Sequence, residues 1–158
     1  MATRCMFAFL SLLACAPLAY SKGPVDLILV SGGGLTEPIQ ITDAVALKAF
    51  DPWMGQFADW SQRPLVDAPC FRRSVEVMFY MKWPGRKSSL DRGKLKMIYA
   101  TRYCSTGLTG YVYLPGPSEP LYQENIGTII QHQRNLRIAG TGIIPTPEHI
   151  RSLAKALR

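Results

Sequence analysis

The sequence predicts one α+β domain, an antiparallel sheet with short helices and a C-terminal helix on one face. Three observations lead there. Val75, Val77, Phe79, Met81 and Trp83 alternate with Ser74, Glu76, Met78, Tyr80 and Lys82, the pattern of a half-buried strand. Leu95, Met97, Tyr99, Thr101 and Tyr103 repeat that alternation after a turn-rich interval, so the two runs pair as a hairpin. Thr146-Pro147-Glu148 is a strong helix start, with an N-cap, Pro at the first position and an acid at the second.

The remaining elements follow in chain order. Residues 25–30 are rich in β-branched side chains and read as a strand. Gly32, Gly33 and Gly34 supply a turn, and residues 38–42 return as a short second strand, giving an N-terminal hairpin. Thr42 and Asp43 cap a short helix that runs to Phe50. Phe50, Trp53, Phe57 and Trp60 then recur at spacings of three, four and three, which would put all four on one helical face; Gly55 weakens that reading, and a compact loop is the alternative. Ser105, Gly107 and Gly110 turn the chain into a third strand of the meander at 111–114, ended by Pro115 and Pro117. Residues 125–131 and 136–139 read as further strands. The C-terminal helix is expected to reach Leu157, with Ile150, Leu153, Ala154 and Leu157 on one face.

The N-terminus reads as something other than fold. Arg4 precedes an apolar run of about ten residues, the form of an export signal, and Pro17, Ser21 and Lys22 interrupt it too early for a membrane span. Residues 1–21 are therefore assigned to the signal and 22–158 to a single extracytoplasmic domain. Two processing routes compete. Leu12-Leu13-Ala14-Cys15 resembles a lipobox, which would make Cys15 a lipid attachment point. Ala19-Tyr20-Ser21 resembles a small-x-small cleavage site. Cys70 and Cys104 remain in the exported part and are expected to form one disulfide, closing a loop worth roughly 3–4 kcal/mol in the chain-entropy model. The alternatives are two free thiols and a zinc site with His132 and His149, although those four residues lack the paired spacing that preorganises ligands.

Motifs for catalysis are weak. The triple glycine lacks the Lys-Ser/Thr of a phosphate loop, and Glu37 follows it. Two His and no G-x-S-x-G elbow give little support to a serine triad. Asp43, Asp51, Asp59 and Glu76 could supply a carboxylate pair only if the fold brought two of them together. Trp53, Phe57 and Trp60 could form a platform for a sugar or peptide, although at helical spacing such a stripe is more often core. No cofactor or metal is expected.

The net charge of +7 is uneven. Residues 22–71 hold three basic and six acidic side chains, whereas residues 72–158 hold fourteen basic and five acidic. Arg86, Lys87, Arg92, Lys94 and Lys96 cluster at one hairpin tip and could meet anionic lipid or wall polymer; a solvated hairpin is the simpler reading. Nucleic acid is not an expected partner, because the aromatic-basic interleaving of an RNA-binding sheet is missing.

The segment Ser31-Gly32-Gly33-Gly34-Leu35-x-x-Pro38-Ile39-x-Ile41-Thr42-Asp43 resembles a group of exported bacterial proteins with no assigned function. So do Phe50-Asp51-Pro52-Trp53-x-Gly55-x-Phe57-x-Asp59-Trp60 and Tyr111-Val112-Tyr113-Leu114-Pro115-Gly116. The resemblance implies export from a bacterial cell and assigns no site residue. The expectation is a non-catalytic domain that binds a partner or ligand at the cell envelope, such as an envelope protein, anionic lipid or wall polymer. The alternatives are a small envelope hydrolase acting on wall polymer or carbohydrate, and a membrane-surface sensor or adaptor.

Overall fold

The computed structural model describes residues 23–52, 56–82, 92–115, 119 and 136–158. Six antiparallel strands form one sheet: β1 (Leu27–Gly32), β2 (Ile39–Ile41), β3 (Val75–Lys82), β4 (Leu95–Thr106), β5 (Thr109–Tyr113) and β6 (Leu136–Ile138). Their spatial order is β2-β1-β3-β4-β5-β6. The expected N-terminal hairpin is β1–β2, and the expected meander is β3–β4–β5. β1 joins the two by pairing with β3, Ile28 lying opposite Phe79 and Val30 opposite Val77. The chain can turn between β1 and β2 because Gly32, Gly33 and Gly34 all have φ between 60 and 87°. Side chains with a Cβ rarely adopt that region.

Two helices lie on one face. Helix α1 (Ala44–Ala49) begins where the Asp43 carboxylate accepts hydrogen bonds from the amides of Val45 and Ala46, at 3.1 and 2.9 Å. Helix α2 (Pro147–Ala156) begins where the Thr146 hydroxyl accepts from the His149 amide at 3.3 Å. Each cap satisfies donors that the first helical turn leaves without a partner. Ala46 from α1 and Ile150 and Leu153 from α2 pack onto the core of Ile28, Val30, Val77, Phe79, Tyr99 and Val112. Ala154 and Leu157 are exposed, so the apolar face of α2 is shorter than the periodicity predicts.

The core differs from expectation in two ways. Strand β3 is buried on both sides: Met78 and Tyr80 join Leu27, Leu29, Met97 and Ala100 in a second cluster on the opposite face. The unbroken apolar run Leu27-Ile28-Leu29-Val30 serves the same double burial. The second difference is a register shift at Phe79/Tyr80, where β4 carries one extra residue. Phe79 lies opposite Tyr99 but Tyr80 lies opposite Met97. The bulge therefore breaks the expected single stripe on β4: Met97 belongs to the second cluster and Tyr99 to the first.

Among the described residues, 56–60 form a turn and a β-bridge rather than the helical face, which agrees with the loop alternative. Trp53 lies outside the described residues. Phe57 is in the core, and the chain around it adds to the sheet edge rather than coiling. Ala58 bridges Ala139, the Asp59 amide donates to the Ile138 carbonyl at 2.9 Å, and the Gly140 amide donates to the Phe57 carbonyl at 2.9 Å. Pairing with the outer side of β6 gives these backbone groups partners without the cost of placing Gly55 inside a helix. The strand expected at 125–131 lies outside the described residues.

Candidate functional site

The disulfide forms as expected. Cys70 bonds Cys104 with a Cα–Cα separation of 5.7 Å. Cys70 precedes a single 3-10 turn (Phe71–Arg73) that leads into β3, while Cys104 lies in β4. The bridge thus pins the approach to β3 against its neighbouring strand. Beside it the sheet carries a polar group. Arg102 Nε donates to Glu76 Oε1 at 3.2 Å, and the Arg102 guanidinium lies 5.8 Å from the Tyr113 ring centre. Phe71 packs edge-on against Tyr113, whose hydroxyl donates to the Glu119 carboxylate. Burial, then the Glu119 bond and its negative charge, push the Tyr113 phenol up to about 12.

The candidate carboxylates are spread out and mostly serve local structure. Asp43 caps α1, and Glu76 holds Arg102. Asp59 accepts from the Ser61 hydroxyl at 2.6 Å and from the Ser61 amide at 3.0 Å. These bonds, with smaller contributions from Gln62, hold its carboxyl below the usual carboxylate range. Asp51 lines a broad depression of about 690 Å³ with Asp26, Lys48 and Lys82. Asp26 is itself engaged there: its Oδ2 accepts from the Lys82 amide at 2.7 Å, and its Oδ1 lies 3.4 Å from Lys82 Nζ. His149 donates from Nδ1 to the Ile144 carbonyl, and His132 lies outside the described residues.

Among the described residues no three His, Cys, Asp or Glu side chains are grouped to hold a metal. No described helix is long and apolar enough to cross a membrane. Of the basic tip, Arg86 and Lys87 lie outside the described residues. Arg92 and Lys94 are exposed and Lys96 is half-buried. Arg92 and Leu95 exchange backbone hydrogen bonds of 2.9 and 3.0 Å around Gly93, which fixes the base of this basic segment.

Of the expected aromatic platform, Trp53 lies outside the described residues, Phe57 is buried and Trp60 is on the surface. It is 44% exposed, against 6% for Phe57. Trp60 borders a depression of about 590 Å³ with Gln56, Asp59, Gly140 and Thr141. Its partner is a residue that sequence reasoning passed over. The Arg137 guanidinium sits 4.7 Å from the indole centre, and Arg137 Nη1 donates to the Gln62 carbonyl at 3.1 Å. Nothing in the spacing of residues 60 and 137 signals this contact; it exists because β6 pairs with the chain around Asp59. The glycines were the available clue. A Cβ on Gly140 would stand 2.2 Å from the Gln56 carbonyl oxygen, so the two segments can touch only with glycine there. No family model, curated protein or solved structure matches the chain.

Proposed function

We propose that the chain is exported and acts outside the cytoplasm as a non-catalytic domain of the bacterial envelope, binding a ligand or partner there. The observation that carries this reading is the Cys70–Cys104 bridge, since disulfides persist in oxidising compartments. The basic residue and apolar run before Pro17 support the same route. The non-catalytic part rests on the carboxylates: Asp43 and Glu76 are engaged as a cap and an ion pair, and Asp51 and Asp59 border different depressions. Acid–base chemistry needs such groups to converge.

Cell fractionation of the full chain tests export. The expected result is recovery outside the cytoplasm, with no reactive thiol from Cys70 or Cys104 after denaturation without reductant. Cytoplasmic recovery with both thiols free would refute it. Labelling with radioactive palmitate, with Cys15→Ala as control, separates an anchored from a released protein. A label that disappears in the variant assigns a lipid anchor; no label in the wild type assigns release.

A hydrolase remains the second reading because Asp26 and Asp51 share one depression with two lysines. Its test is turnover of purified wall polymer, with Asp51→Asn as the control. Turnover lost in Asp51→Asn would replace the non-catalytic reading.

A further inference from the structure

We propose that one end of the sheet docks on an anionic membrane surface: the end where the chain enters at Gly23 and where Lys82, Arg92, Lys94 and Lys96 lie. This rests on the envelope-binding role above and names the partner as lipid headgroups. Two independent features meet at this end, the direction from which the chain arrives and the sign of the charge.

The strand register sets the first. β1 starts at Leu27, opposite Tyr80 near the end of β3, and Lys82 lies opposite Leu95 at the start of β4. The lead-in to β1 is fixed at the same place. The Asp26 amide donates to the Tyr80 carbonyl at 2.8 Å, and the Lys82 amide donates to Asp26 Oδ2 at 2.7 Å. The entry of the chain therefore lies beside the base of the β3–β4 connection. The glycine turn after β1, the Cys70–Cys104 bridge and the β4–β5 turn at Gly107 occupy the opposite end.

Distance decides which charges a membrane would meet. Cys15 and Gly23 are eight positions apart, so a lipid on Cys15 would hold Gly23 within about 28 Å of the headgroups. β3, at eight residues, is itself about 27 Å long. At physiological ionic strength a surface charge is felt over only about 8 Å. A domain standing on its tethered end brings that end into the field and leaves the other outside it. The tether also raises the local concentration of the cations, so that individually weak contacts suffice.

The charge at this end has the matching sign. Arg92 and Lys94 are exposed and Lys96 is half-buried, all within five residues, and the Lys82 side chain is 80% exposed. The described acids there are engaged or offset. Asp26 Oδ1 lies 3.4 Å from Lys82 Nζ, Asp43 accepts from the first amides of α1, and Asp51 lines its depression together with Lys48. The excess that remains is positive and sits on Arg92, Lys94 and Lys96. Each cation close to an anionic bilayer strengthens binding about fivefold.

The test sediments the full chain with vesicles of phosphatidylcholine alone and with vesicles containing phosphatidylglycerol. The apolar run before Pro17 gives both the same background, so the ratio of the two partition coefficients reports charge. The ratio should exceed roughly thirtyfold at about 20 mM salt and fall towards one at about 500 mM. Arg92→Gln/Lys94→Gln should lower it roughly twentyfold, and Lys94→Gln alone roughly fivefold. Arg92→Lys/Lys94→Arg, which keeps the charge, should keep the ratio. Arg72→Gln/Arg73→Gln removes the same charge from exposed residues at the far end and should change it by less than about twofold. A wild-type ratio near one would overturn the docking surface. Equal losses in the near and far double variants would mean attraction by net charge and overturn the assignment to this end. Binding to soluble polyglycerol phosphate and to neither vesicle would overturn lipid as the partner. Fractionation decides export independently of these outcomes.

Discussion

The face of the sheet carrying Val77, Phe79 and Tyr99 is covered by α1, α2 and the chain around Phe57. The opposite face is apolar at one end, through Leu27, Leu29, Met78, Tyr80 and Met97, and polar at the other. There the Glu76–Arg102 pair and Tyr113 lie beside the Cys70–Cys104 bridge. The first face is held by ring and aliphatic packing, with Phe79 and Phe57 each within 5.8 Å of the Tyr99 ring centre. The polar end of the second face has less apolar area to bury, and a covalent bond stands where packing is thin. The fold thus combines two ways of opposing chain entropy, dense contact on one side and a shortened loop on the other.

That contrast can be broken from either side. Phe79→Ala should have the largest effect, a loss of about 3–5 kcal/mol in urea unfolding, because it opens a cavity between Tyr99 and the strands. Replacing both Cys70 and Cys104 by Ala should cost about 3 kcal/mol, and reductant should reproduce the loss in the wild type but not in the variant. A double-mutant cycle on Glu76→Gln and Arg102→Gln should give a coupling below about 1 kcal/mol, since both side chains are about one-third exposed. A larger coupling would mean that the polar end is held electrostatically as much as covalently.

The smallest effect is expected at high pH. The folded Tyr113 phenol titrates near 12 and the unfolded one near 10, so the native state keeps a proton that the unfolded chain has lost. Stability from this group is full below pH 10 and declines as pH rises through the window from 10 to 12. Phenolate absorbance of Tyr113→Phe against the wild type checks the assignment: the missing transition should be the one near 12.

Legibility in the sequence tracked how local each cause was. The β3–β4 pairing, the caps at Asp43 and Thr146, and the glycine turn after β1 were all readable, because each depends on neighbours in sequence. The disulfide was readable from the count of two cysteines outside the expected signal. The bulge opposite Phe79 was not, since an extra residue leaves the composition of β4 unchanged and shows only when partners are matched. Phe57 and Trp60 misled for a related reason. Their helical spacing is genuine, yet pairing with the β6 segment, in which Ala58 bridges Ala139 far along the chain, outweighs it. The same long-range pairing hid Arg137, so the candidate site was half visible: the tryptophan could be named and its partner could not.

The pairing of residues around Asp59 with β6 has one further consequence. It occupies the outward carbonyls of Leu136 and Ile138, which accept from the amides of Leu65 and Asp59 at 2.8 and 2.9 Å. At the other margin stands β2, three residues long, with Pro38 before it and the Asp43 cap soon after. Another chain seeking to template itself onto the described sheet would find one rim already bonded and the other only three residues wide. Strand-by-strand polymerisation, the hazard of any open sheet, has little on which to start.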